Sequence, residues 1–414
     1  MSGRAIQSSV AETENKVRRY DLDWLRVLVF GLLIIFHIAI GFDEVGIAVY
    51  GYGNNQLGGT WLSLFILFTH GWRLPLLFLI AGMGTCFAFG SRTTREFLNE
   101  RSFRLLIPLV FAMIFILIFP RYVQFLSSSG MEISFIEYVK GWFGKLGFIS
   151  HPQHLWFLVN LFIYSLVCAP IFASIRKNPK SRIGGLVKWC LKIQNGIGLL
   201  LLIPLPLVVV EFVIRPVLPG AVGLGYEFFW YLILFITGYL CIIAREQFWE
   251  SLEKIRVSSI VLGCALMLSY IVILVTLGIE GSGDIWGREA IRSRYIFEGG
   301  WMLAGFGFWE VPMGHLVSII HSLNAWAWCM VCFSWGAKYL NKPSKLLTYL
   351  NQGVYPFYIV HLPFTLVALY YLKDVELYWI FKFIIITGIT GIGCWLVFEI
   401  AKRNKILRMA FGIK

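Results

Sequence analysis

The chain has 414 residues, of which 58% are hydrophobic and only 14% charged, with a mean hydropathy of +0.73. A soluble domain cannot hide that much apolar surface, so composition excludes a soluble enzyme and points to an integral membrane protein. The net charge of +13 does not imply nucleic acid. Its basic residues sit in short loops on alternate sides of apolar stretches, and no basic run interleaves with aromatics on a soluble segment.

The first 20 residues are polar and lack the apolar core and cleavage site of a signal peptide, so residues 1–20 read as a tail. Ten apolar stretches long enough to cross a bilayer follow, at 24–42, 73–90, 105–120, 154–175, 196–214, 227–244, 257–278, 312–336, 354–372 and 376–400. The expected fold class is therefore all-α: a polytopic membrane protein of about ten transmembrane helices, with a membrane domain over 21–402 and a basic tail over 403–414. Trp61 to Thr69 is too short to span and is expected at the outer interface. With these spans, 25 Lys and Arg lie on the side of both termini and 8 on the other, while Arg26, Arg73 and Lys382 fall within spans or at their ends. That bias puts both termini in the cytoplasm.

Two loops on the far side are long. Residues 121–153 carry Glu132, Glu137, Tyr138, Trp142 and Phe143; residues 279–311 carry Asp284, Trp286, Arg288, Glu289, Arg292, Arg294, Tyr295, Glu298, Trp301 and Trp309. This mixture suits a sugar-binding surface, but interfacial anchoring produces the same composition and is the reading favoured for most of these residues. The eight cysteines fall mostly inside spans and read as small packing residues. They support neither zinc nor a disulfide framework, and no other metal set is spaced for ligation.

Chemistry concentrates on the first span. Arg26 and His37 are eleven residues apart, 20° past three full turns, so they share a helix face about 16.5 Å apart along the axis. Asp23 lies on the same stripe, where it can pair with Arg26 and orient it. An arginine and an imidazole on one stripe are costly in lipid, so the stripe is expected to face a polar cavity. His37 is the candidate general base, able to take a proton from a hydroxyl near neutral pH. A packing histidine, and an Arg26 that merely snorkels to headgroups, are the plain alternatives.

Arg101 and Arg104 lie i and i+3 at the start of the third span and could hold the phosphates of a nucleotide-containing donor; the positive-inside rule alone also places basic residues there. Arg73, ahead of Pro75, can reach into the cavity or anchor its helix. Glu211 and Arg215 form an i, i+4 pair read as structural, His315 and His321 read as packing residues, and Lys382 reads as snorkelling. His361 is a second intramembrane imidazole, beside Tyr358 and Pro363.

Taken together, these segments resemble the integral-membrane acyltransferase family three, in its glucan-modifying branch. Asp-Leu-Asp-Trp-Leu-Arg (21–26) with His37 looks like the family's R-x10-H motif, and Arg101-Ser-Phe-Arg104 with Pro108 looks like its R-x-x-R element. Arg73-Leu-Pro-Leu-Leu-Phe-Leu-Ile-Ala-Gly (73–82) is similar to its second span, and His154-Leu-Trp-Phe-Leu158 and Tyr355 to Pro363 resemble two further segments. The resemblance implies helices around a central cavity, an acyl-coenzyme A donor (acetyl or succinyl) on the cytoplasmic side, and a glycan or other hydroxyl acceptor on the far side of a bacterial cytoplasmic membrane. By the same resemblance, His37 is the catalytic histidine, with Arg26 and Asp23 beside it. Arg101, Arg104 and Arg73 would bind the donor, and His361, Tyr358 and Trp156 would line the acceptor side. One departure stands out: relatives carry acidic residues after the Trp156 position, whereas here Phe157 to Phe162 has only Asn160 polar. The competing class is a secondary transporter or exporter of lipid-linked sugars with Arg26 and His37 as a proton relay, although no internal repeat supports it.

Overall fold

Helices account for the secondary structure, and the apolar runs of the sequence dictate where they lie. The structure is a computed structural model that describes residues 18–90, 92–149, 151–177, 182–218, 220, 222–280 and 312–413. In chain order the helices are α1 (Tyr20–Ile40), α2 (Glu44–Tyr50), α3 (Gly59–Phe89), α4 (Thr94–Phe111), α5 (Ile118–Ser129), α6 (Phe135–Gly144), α7 (Trp156–Lys177), α8 (Arg182–Lys192) and α9 (Ile197–Leu201). They continue as α10 (Leu205–Val213), α11 (Tyr226–Ile243), α12 (Arg245–Lys254), α13 (Arg256–Glu280), α14 (Pro312–Tyr339), α15 (Lys345–Leu372), α16 (Trp379–Ala401) and α17 (Lys405–Ala410). Among the described residues there is no strand. Among the described residues, eight helices are long and apolar enough to cross a membrane, and up to ten if each of two bent pairs counts as one span. This is a multi-pass membrane protein.

The bent pairs have local causes. From α4 into α5 the axis turns by 42° across a π-helical turn, Ala112–Ile116. Such a turn displaces the i−4 ladder by one residue. The second pair, Ile183–Lys192 and Ile197–Val213, turns by 116° at a break that holds Gly196 at φ +94. Within the stretch expected as one span at 196–214, the α-helix pauses between Leu201 and Leu205, where Pro204 and Pro206 lack backbone donors. Trp61 to Thr69 does not form a separate interfacial segment. It makes the opening turns of α3, whose 31 residues run through Pro75 without a break. The segment from 281 to 311, with its charged and aromatic residues, lies outside the described residues, as does the side chain of His315.

Helix packing follows the membrane rule that small residues let backbones meet. Helices α3 and α11 cross closely at Gly82 and Gly238. A Cβ on Gly82 would lie 2.0 Å from the Phe235 carbonyl oxygen, and one on Gly238 would lie 2.1 Å from that of Leu79. Around this crossing α1 packs on α3, α14 and α15, α4 packs on α7, and α13 packs on α14. Helix α16 lies against α15 where Thr390 meets Thr365 and Gly393 meets Phe364, and presents Phe381, Ile384, Ile392 and Ile400 outward, as a lipid-facing helix should. The 403–413 segment, expected as a basic tail, folds as α17 and packs Phe411 on Phe111, with centroids 5.2 Å apart.

Lys382 is fully buried rather than snorkelling into headgroups: its ammonium donates to Asn54, Asn55 and the Lys373 carbonyl, tying α16 to the 53–57 turn. Helix α6, within the 121–153 loop, starts with a reciprocal cap between Ser134 and Glu137 and leaves Ile136 and Phe143 exposed. All eight cysteines are free.

Candidate active site

Helix α1 carries two polar stations, each completed by α15. At the first, Arg26 donates to Asp23, at 2.9 Å, and to Asn351. Asp23 also takes Arg18 at 2.8 Å. One turn beyond Asn351, Tyr355 lies in the electrostatic field of Arg101, Arg26 and Arg104. The structure thus gathers Arg26 and the α4 arginines at one end of the bundle, near α17. The pair is not a closed fork, however. Arg101 turns toward α3 and donates to Thr85 at 2.8 Å, whereas Arg104 bonds Glu100 at 2.6 Å.

The second station gathers three imidazoles, two of them bonded to one another and the third packed on His361 with centroids 5.1 Å apart. His37 Nδ1 lies 2.9 Å from the Leu33 carbonyl and 3.2 Å from His361 Nε2. His361 Nδ1 lies 2.8 Å from the Tyr358 carbonyl. A carbonyl only accepts, so His361 carries its proton on Nδ1 and its Nε2 accepts. His37 therefore carries its proton on Nδ1, and the lone pair of its Nε2 is left without a partner. That tautomer is assigned from the network of acceptors.

His154 donates from Nε2 to the carbonyls of Tyr358 and Ile359, at 3.1 and 3.3 Å. Ile359 can accept because Pro363, four residues on, has no N–H to offer it. The Tyr358 hydroxyl returns a bond to the His154 carbonyl. Among the described residues no set of His, Cys, Asp or Glu is arranged to hold a metal ion.

His37 opens onto a chamber of about 330 Å³. Its walls include Arg73, His70, Tyr50, Trp156, Glu227 and Tyr231, with Arg121, Gln124, His151 and Gln153 around the mouth. Arg121 and Gln124 belong to α5, and His151 and Gln153 to the connection that leads into α7. A smaller space of about 40 Å³ continues past His37 and Arg73 toward Phe30, Phe157 and Tyr358. Phe30 sets its edge on Tyr358 with centroids 5.4 Å apart and meets Phe157 at 6.5 Å. Phe30 is one turn from Arg26, and Tyr358 is nearly one turn from Tyr355, so this aromatic layer separates the arginine station from the histidine station.

The residues singled out in the sequence therefore divide between two places. Asp23, Arg26, Arg101 and Arg104 lie at the basic end, while His37, Arg73, His361, Tyr358 and Trp156 lie in or beside the chamber. Arg73 is not with the other donor-binding candidates. It is 2% exposed and shares the chamber walls with His37.

Sequence reasoning missed Glu227, Tyr231, Gln124, Gln153 and Tyr50 as walls. Glu227 was detectable as an ionisable residue opening an apolar span. It accepts from the Gly223 amide at 2.7 Å, while the Gly223 carbonyl takes Asn160 at 2.7 Å. Gly223 adopts φ +74, and a Cβ there would fall 2.1 Å from the Trp156 ring. A carboxylate thus reaches the Trp156 corner from α11, although α7 supplies none. His321 is not a plain packing residue either. It bonds Glu211 at 2.7 Å, and Glu211 bonds Arg215 at 2.6 Å, all beside a small cavity that shares His70, Glu227 and Tyr231 with the chamber.

Outside the membrane spans, burial followed by the nearby Arg121 guanidinium lowers the pKa of His151 from its ordinary value. At neutral pH the mouth therefore presents a neutral ring.

A family model described as an acyltransferase domain matches residues 19–399. The chain belongs to this acyltransferase family. It is accordingly an enzyme that transfers acyl groups. Among curated proteins it is similar to the glucans biosynthesis protein C of Escherichia coli O139:H28 (strain E24377A / ETEC), of strain K12 and of O9:H4 (strain HS). Each is 25% identical over 414 residues, covering 96% of this chain and 95% of the relative. No solved structure matches the chain.

Proposed function

We propose that this member of the acyltransferase family moves an acetyl or succinyl group from acyl-coenzyme A to a hydroxyl of a glycan on the other side of the membrane. The observation that carries the reading is the pairing of a free His37 Nε2 lone pair with a chamber whose mouth lies away from the arginine station. In this reading the nucleotide end of the donor binds Arg101 and Arg104 at the cytoplasmic face, with Arg26, held by Asp23, on the pantetheine arm. The arm passes between Phe30, Phe157 and Tyr358, bringing the thioester to His37. The acceptor enters through the mouth and packs on Trp156 and Tyr231, whose rings lie 5.5 Å apart.

His37 Nε2 takes the acceptor hydroxyl proton as the oxygen attacks the thioester carbon, and later returns it to the departing thiolate. General base catalysis of this kind is worth roughly 10²–10⁴-fold. His361 accepts from His37 Nδ1–H and so holds the ring in the productive tautomer. The name of the similar E. coli proteins, which places them in glucan biosynthesis, supports a glycan as acceptor.

The test is protein purified into proteoliposomes, given labelled acyl-coenzyme A on one side and a glucan on the other. Label recovered as an ester on the glucan is the expected result. Movement of the glycan without acylation would point to a transporter and refute the reading.

A further inference from the structure

Arg73 is among the largest fully buried side chains of the described residues, at 2% exposure. Its guanidinium lies over the face of Phe36, 3.5 Å from the ring centroid. Its Nε and Nη1 are buried without a hydrogen-bond partner. Elsewhere among the described residues Arg215 is paired with Glu211 and Asp21 with Arg19, and the buried ammonium of Lys382, which has no carboxylate partner, donates to Asn54, Asn55 and the Lys373 carbonyl. Arg73 takes part in none of the ion pairs among the described residues, and the titratable groups in its field are the phenols Tyr231 and Tyr50 and the imidazoles His37, His70 and His361, none of them an anion. Burying a guanidinium without a counter-charge is unfavourable, and a fold keeps one where an anion arrives during function.

Position says which anion. Arg73, His37 and His154 line both the 330 Å³ chamber and the 40 Å³ space beyond it, and His154 Nε2 is committed to the Tyr358 and Ile359 carbonyls. The carbon under attack must lie within bonding reach of the oxygen that His37 deprotonates, so the carbonyl oxygen on that carbon develops its charge beside the same wall. Arg26 cannot serve there, being about 16.5 Å away along α1 and occupied by Asp23 and Asn351.

Resting on the acyl-transfer reading, we infer that Arg73 is the oxyanion-stabilising catalytic residue. As the acceptor oxygen bonds to the thioester carbon, the carbonyl π pair moves onto its oxygen, which Arg73 receives with N–H groups already free of other partners. Collapse re-forms the carbonyl, the C–S bond breaks, and the thiolate leaves with the proton held on His37. The products are the ester and the free thiol.

The test uses the full-length protein in proteoliposomes with acetyl- and succinyl-coenzyme A as separate donors, comparing Arg73→Gln, Arg73→Lys and Arg73→Met with wild type. The expected result is a fall in kcat of roughly 10²–10³-fold for Gln and Met with both donors, a smaller fall for Lys, and donor KM within a few-fold of wild type. Because the charge is uncompensated at rest, Arg73→Met should also match or exceed the wild-type unfolding midpoint. A loss confined to the succinyl donor would instead make Arg73 the ligand of a substrate carboxylate, and would overturn the inference. So would a loss seen only in KM, an unchanged kcat, or a Met variant that loses stability together with activity. If wild type itself transfers no acyl group from either thioester, the function reading fails and takes this role with it.

Discussion

Gly82 offers a sharp test of how the bundle is held together. A Cβ there would meet the Phe235 carbonyl oxygen at 2.0 Å, whereas ordinary contact begins near 3.4 Å, so α3 and α11 must part by about 1.4 Å to admit one methyl group. The atoms in the way are backbone, which cannot rotate aside. Two residues on, a Cβ on Gly84 would meet nothing within 4 Å. Gly82→Ala should therefore destabilise the protein by about 1–3 kcal/mol, the usual cost of overpacking. Gly84→Ala should hold or gain stability, since Ala favours a helix over Gly by about 1 kcal/mol. The same separation would disturb the chamber, because Phe78 of α3 stacks on Tyr231 of α11 at 4.6 Å. Thermal unfolding in detergent, followed by intrinsic fluorescence, measures the pair. Equal midpoints for the two variants would refute the claim that a backbone-to-backbone crossing organises the core.

Arg104→Ala should raise the KM for acyl-coenzyme A while leaving kcat within a few-fold, and unchanged donor affinity would remove the α4 arginines from the donor site. Glu211→Gln withdraws the carboxylate that both Arg215 and His321 bond, which should cost about 3–5 kcal/mol. Glu250→Gln, which breaks an exposed pair with Lys254, should leave the unfolding midpoint near wild type. The Ser134 backbone amide, and then its hydroxyl, hold Glu137 below the usual carboxylate range. The α6 cap should therefore persist as pH falls through that range and be lost only below it, an order that amide hydrogen exchange along α6 can check.

The spans and the first-helix stripe were legible in the sequence because they rest on one-dimensional regularities: runs of apolar residues, and a spacing of eleven that returns to one helix face. That is why His37, Arg26 and Asp23 could be placed on one side of α1 without a structure. The partners of His37 were not legible. His361 is far from it in the chain, and His154 joins the group through the Tyr358 carbonyl, which takes both His154 and His361. Lys382 read as snorkelling because its partners Asn54 and Asn55 belong to a distant turn. Trp61 to Thr69 read as a separate segment because hydropathy dips at His70 and Arg73, and a buried arginine with no ion-pair partner is invisible to a hydropathy rule. Glu211 and His321 come from α10 and α14, so only packing could show that they share a proton-bearing bond.

The central claim is that a lone pair on His37 Nε2 takes the acceptor proton inside the chamber. The most direct measurement is single-turnover acyl transfer by purified His37→Gln, whose amide keeps a hydrogen-bonding side chain but cannot act as a base. A drop of roughly 10²–10⁴-fold, with the unfolding midpoint and donor affinity retained, is the predicted result. Transfer at close to the wild-type rate by a folded His37→Gln protein would contradict it.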